Sequence, residues 1–177
     1  MGLTSFDNLG DLVETNRLNY RQYLRGLDNM AGIQMMRYDE SEQCNYQYVV
    51  LEIDEAVAGI NRDDLQRVLW AENVLARRYF YPGCHRLEPY RSNQMYESAR
   101  LPQTERLAAR VLSLPTGTSI GPDEVDGVCE LIRFAISRSS ELSARLPVTA
   151  VAPSCADTQA SVATSVLAAV QREPAAA

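Results

Sequence analysis

Apolar residues recur at intervals of three and four from the start of the chain. Leu9, Leu12, Val13, Asn16, Tyr20, Tyr23, Leu24 and Leu27 line one face of a helix over about residues 4–29. Thr4 or Ser5 is placed to cap its start, and Asp7 falls in the first turn, where the helix dipole favours an acid. Gly32 closes the segment, and residues 33–38 read as a short strand. After the polar turn DESEQ, the spacing changes from helical to alternating. In NYQYVVLEID, residues 45–54, Val49, Leu51 and Ile53 share one face of a strand.

Asn61 then heads a second helix. Asp63 and Asp64 occupy its first turn, and Leu65, Val68 and Leu69 form its apolar stripe. Asn73 is a natural stop, because Asn tolerates the left-handed conformation at a helix end. The run VLARRYFY, residues 74–81, reads as extended, and Pro82-Gly83 breaks it into a loop. A third helix is predicted over Thr104–Val111. A fourth opens at Pro122 with the stripe Val125, Val128, Cys129, Ile132, Ala135 and Ile136. From Ser139 the chain turns to Ala, Ser, Val and Thr with no aromatic residue. This predicts a mobile tail over 139–177, with a weak helix near 161–171.

The predicted order is α-β-β-α-β-loop-α-α. It points to an α+β domain with a small antiparallel or mixed sheet and helices packed on one face. The other face needs cover, either from the first helix or from polypeptide outside the domain.

Composition narrows the function classes. The 177 residues hold 46% hydrophobic and 23% charged residues, the balance of a folded domain rather than a disordered chain. A net charge of −6 argues against a dedicated duplex nucleic-acid binder, which needs an excess of cations. Cys44, Cys84, Cys129 and Cys155 are scattered and His85 is the single imidazole, so no metal site is expected. No apolar run reaches membrane-spanning length and no basic-then-apolar leader opens the chain, which leads to an expected cytoplasmic location without a membrane partner. All 17 basic residues are Arg, and there is no Lys.

Chemistry concentrates in ENVLARRYFYPGCHRLEPYRS, residues 72–92. Arg77 and Arg78 point to opposite faces of an extended segment, so at most one reaches a ligand, and Arg78 is nearer the loop. An Arg fork suits a diphosphate or a carboxylate. His85 follows a Pro-Gly turn, a position where binding groups gather, although a surface histidine bonded to backbone fits the same pattern. Tyr79, Phe80 and Tyr81 are core residues by type, Tyr81 being the one best placed to face a ligand, with Tyr90 and Arg91 weaker candidates.

This stretch, followed by LPQTERLAARVLSLPTG, resembles the C-terminal part of the DegT/StrS-type sugar aminotransferases, pyridoxal-phosphate enzymes of fold type I. The resemblance begins at MGLTSFDNLGDLV, continues through NYQYVVLEID and NRDDLQRVLWAENVLARRYFYP, and ends near GPDEVDGVCELIRFAI, covering residues 1–138. It implies a small C-terminal domain at 1–138, whose first helix leads in from a large domain not included in this chain, and a keto-sugar nucleotide as substrate. His85, Tyr81, Arg78 and Tyr90 become the substrate-side candidates. The family holds its cofactor as a Schiff base on a lysine of the large domain. Without a lysine the chain is expected to supply no catalytic or cofactor-binding residue and to be inactive alone. Its implied partners are the N-terminal cofactor domain, or a full-length aminotransferase, and a second copy in the complete dimeric enzyme. The rival expectation is a non-catalytic remnant or partner protein that binds a full-length aminotransferase.

Overall fold

The computed structural model describes residues 8–79, 81–92 and 101–146. Helix α1 runs from Leu9 to Leu27 and presents Asn16, Asn19, Tyr20, Tyr23 and Leu27 to the interior; the predicted stripe holds from Asn16 onward, whereas Leu9 and Leu12, also assigned to it, are exposed and Asn19 joins it. The caps expected at Thr4 or Ser5 lie outside the described residues, and the helix is flanked by Asn8 without a side-chain cap.

Strand β1 (Ile33–Met35) pairs antiparallel with β2 (Val49–Ile53), Ile33 opposite Ile53. Both are shorter than expected. The run before Val49 is interrupted at Tyr46, which takes a positive φ of 50° and folds its ring into a cluster with Tyr20 and Tyr38. Helix α2 (Glu55–Ala58) starts under an Asp54 cap, and α3 (Arg62–Ala71) starts where Asn61 Oδ1 accepts from the Asp64 N–H at 2.8 Å. Asn73 ends that segment with φ 61°, the left-handed conformation expected of it.

The extended run predicted over residues 74–81 contracts to a two-residue strand, β3 (Arg77–Arg78). Helix α4 covers Pro102–Arg110, and Val111 turns directly into β4 (Val111–Leu114), a strand that the helical reading of this segment missed. The sheet order is β1-β2-β4-β3 and every pair is antiparallel. β4 therefore sits at the centre, pairing Leu112 with Leu51 and Leu114 with Val49. Helix α5 (Pro122–Ser137) begins where Glu124 Oε2 accepts from the Gly121 N–H at 2.9 Å.

The core lies between one sheet face and the helices. Val49, Leu51, Ile53, Leu112 and Leu114 meet Tyr23 and Leu27 of α1, Leu65 and Leu69 of α3, and Val125, Cys129 and Ile132 of α5. These burials stabilise by about 1.5–3 kcal/mol per large aliphatic side chain. α1 thus packs on the same side as α3 and α5, and reaches the second face only at its C-terminal end, through Leu24 and Asp28. That outer face carries Gln34, Val50, Glu52 and Val111 along a groove of about 630 Å³, flanked by Leu107 of α4, Met36 and Tyr79. Residues 139–145, assigned from sequence to the tail, form a further helix, α6 (Ser139–Arg145); the tail beyond Leu146 lies outside the described residues. No described helix is long and apolar enough to cross a membrane.

Candidate functional site at the Tyr81–His85 loop

β3 sets the site. Arg77 pairs with Ser113 and is exposed, while Arg78 pairs with Leu112 and is drawn inward, so the two guanidiniums leave the sheet on opposite faces. Arg78 Nε donates to Gln66 Oε1 at 3.2 Å and stands 3.0 Å from Asp63 Oδ1. The same oxygen accepts from Arg62 Nε at 2.6 Å. Arg62 is 3% exposed and donates through Nη1 to the carbonyls of Ala108 and Val111, at 2.9 and 3.3 Å. Burial lowers its guanidinium below the ordinary value while Asp63 pulls it back up.

Tyr81 lies over this pair. Its ring centroid is 4.8 Å from the Arg78 guanidinium carbon and 5.2 Å from that of Arg62. The structure thus joins two of the predicted residues, Arg78 and Tyr81, around a carboxylate read from sequence only as a helix-dipole acid. Gln66 and Trp70 complete the support by donating to the Ala76 carbonyl at 3.0 and 2.7 Å, which fixes the entry into β3.

His85 lies in a 3-10 turn, Cys84–Arg86. Gly83 precedes it with φ 97°, and a Cβ there would lie 2.8 Å from the imidazole, so only glycine fits. The His85 Nε2 atom is buried without a hydrogen-bond partner, 3.7 Å from Glu105 Oε1. Glu105 accepts from Arg86 Nη2 at 2.6 Å, and that contact, foremost, holds its carboxyl below the usual range. Tyr90 is 51% exposed in the turn that closes the loop. Arg62, Gln66 and Glu105 were not singled out from sequence, and Asp63 was read there only as a first-turn acid. One signal existed: an arginine in a helix first turn opposes the macrodipole and calls for a compensating anion.

A four-stranded antiparallel sheet with helices over one face thus carries Arg78, Tyr81 and His85 on and just beyond its edge strand. Residues 1–133 match the family model described as the DegT/DnrJ/EryC1/StrS aminotransferase family. The chain belongs to that family. A crystal structure described as DesI in the presence of its TDP-sugar product superposes with a TM-score of 0.75 at 50% identity, over 82% of this chain and 36% of that one. The dTDP-4-amino-4,6-dideoxy-D-glucose transaminase of Escherichia coli is 29% identical over 64% of this chain and 29% of its own length. The spore coat polysaccharide biosynthesis protein SpsC of Bacillus subtilis (strain 168) is 29% identical over 75% of this chain and 34% of its own. The chain therefore spans about a third of the length of these relatives.

The family depends on pyridoxal phosphate, and the residues present do not fit that group. The chain has no lysine to carry it, and the most buried cation among the described residues, Arg62, is committed to Asp63 and two carbonyls.

Proposed function

We propose that this chain is the C-terminal, substrate-facing part of a pyridoxal-phosphate-dependent aminotransferase acting on a keto-sugar nucleotide, and that it is inactive alone. The family match over residues 1–133 in a chain without lysine is the observation that carries this reading. The 50% identity to a structure described with a TDP-sugar product supports the nucleotide-sugar assignment. Arg78, Tyr81, His85 and Tyr90 form the substrate side; a lysine-bearing domain supplies the cofactor site and the proton transfers. The outer-face groove, with Leu107 and Met36 exposed along it, supports a packing surface for further polypeptide. In the complete enzyme the assembly is a homodimer.

The test is an assay of the purified chain with pyridoxal phosphate, glutamate and a keto-sugar nucleotide. No turnover above the free-cofactor background is expected. Addition of the lysine-bearing domain of a related enzyme restores it. Turnover by the chain alone, or none after the addition, refutes the reading.

A further inference from the structure

Tyr81 combines two properties that rarely coincide: one side of its ring is backed by fixed charges, yet the residue is 51% exposed. Arg62 and Arg78 approach the same Asp63 oxygen at 2.6 and 3.0 Å. Two groups so tied, with their guanidinium carbons 5.2 and 4.8 Å from the ring centroid, back one side of the ring rather than sandwich it. With the residue 51% exposed, the side away from the guanidiniums is the one left to meet a ligand. The backing is stiff, because Arg62 is anchored to α4 and β4 through the Ala108 and Val111 carbonyls and Arg78 to α3 through Gln66.

We infer that the outward side of the Tyr81 ring is a stacking platform for the base of a nucleoside diphosphate. Three physical features select this ligand class. Cations beneath the ring draw its π density inward, which weakens contacts to sugar C–H groups that need an electron-rich face and leaves offset stacking with a flat heterocycle favourable. The cluster sets two guanidiniums against one carboxylate, and its surplus positive charge favours an anionic nucleotide over a neutral nucleoside. A platform held from behind loses little freedom when a base settles on it. The inference rests on the nucleotide-sugar reading above and assigns the base, rather than the sugar or the phosphates, to Tyr81.

Binding, read independently of turnover, tests it. Thymidine diphosphate, thymidine and inorganic pyrophosphate are titrated by calorimetry into the 177-residue chain and into Y81A and Y81F. Base–aromatic stacking is worth roughly 1–3 kcal/mol, so Y81A is expected to weaken thymidine diphosphate and thymidine by about tenfold. Y81F binds as the parent does, and pyrophosphate affinity is the same in all three. Equal thymidine diphosphate affinity in Y81A and parent, absence of saturable thymidine diphosphate binding, or a parallel loss of pyrophosphate binding in Y81A would each overturn the platform. Restored transamination with an unchanged nucleotide-sugar KM in Y81A rejects the platform and leaves the proposed function standing. Failed restoration with Tyr81-dependent thymidine diphosphate binding does the reverse.

Discussion

Asp63 holds Arg78 at 3.0 Å through the same Oδ1 atom that it turns toward Arg62. One carboxylate thereby joins the start of α3, strand β3 and the carbonyl end of α4 beneath the candidate loop. Replacing it with a neutral amide leaves two adjacent guanidiniums, one of them buried, without an anion. Loss of one partner of a fully buried pair costs about 3–5 kcal/mol, and Asp63 is 43% exposed, so solvent screening reduces the figure. Asp63→Asn is expected to lower stability by about 1–3 kcal/mol, seen as a lower urea midpoint at unchanged slope. An unchanged midpoint would show that water replaces the carboxylate.

Asn19 is the equivalent polar tie at the other end of the domain. Its Nδ2 group donates to the carbonyls of Gly117 and Ile120 at 3.2 and 3.3 Å, holding the turn that leads into α5 against α1. Asn19→Ala strands both acceptors in a site 4% exposed, at a cost of about 1–3 kcal/mol. Hydrogen exchange should accelerate at the first turn of α5 before it does in the sheet.

Two glycines should respond in opposite directions to the same substitution. A Cβ on Gly26 would lie 2.5 Å from Cys129 Sγ, where α1 and α5 meet, whereas a Cβ on Gly127 meets nothing within 4 Å. Gly26→Ala is expected to destabilise by about 1–3 kcal/mol through overpacking. Gly127→Ala, exposed in mid-helix, should stabilise by about 0.5–1 kcal/mol. Paired thermal melts decide it, and a gain at Gly26 would mean that the two helices separate more easily than their packing implies.

Alkaline pH should loosen the same interface. Burial, with a smaller contribution from Asp126, pushes the Cys129 thiol up from 9.0 to about 11, and burial also raises the Tyr23 phenol above its usual value. In both cases the folded state retains a proton that the unfolded chain releases. The associated stability is complete below about pH 9 and falls as pH rises toward 11, by of order 2 kcal/mol for the thiol. Urea midpoints measured from pH 8 to 11 should decline in the parent and decline less in Cys129→Ala. Parallel curves would count against a buried thiol.

Gly83→Ala probes the imidazole without touching it. The added methyl would press on the ring from 2.8 Å, at a residue whose φ of 97° already disfavours an L side chain. The expected result is a displaced His85, read as a change in its ring proton shifts, which are unambiguous because the chain has one histidine. Unmoved resonances would mean that the loop yields instead of the ring.

Helical periodicity and caps carried most of the architecture, because α1, α3 and α5 each state their apolar face within a few turns. The central strand did not. Val111 to Leu114 follow α4 without a break, and four residues are too few for alternation to be told from the end of a helix. Their strand identity comes from β2, remote in sequence. The site divided in the same way. Arg78, Tyr81 and His85 stand close together in the chain, whereas Asp63, Gln66 and Glu105 reach them only after folding, so neighbouring types along the sequence did not announce them.

With only two residues, β3 is the least secured member of the sheet, and its consecutive arginines face opposite ways. Displacement of that strand by a single position would exchange them, sending the inward guanidinium to the groove side and the outward one beneath Tyr81. Their identical side chains make the exchange chemically silent in composition but not in place: only the bonds to Asp63 and Gln66 tell one from the other. The carboxylate is therefore an alignment pin as well as a counter-ion, and the aim of the loop depends on it.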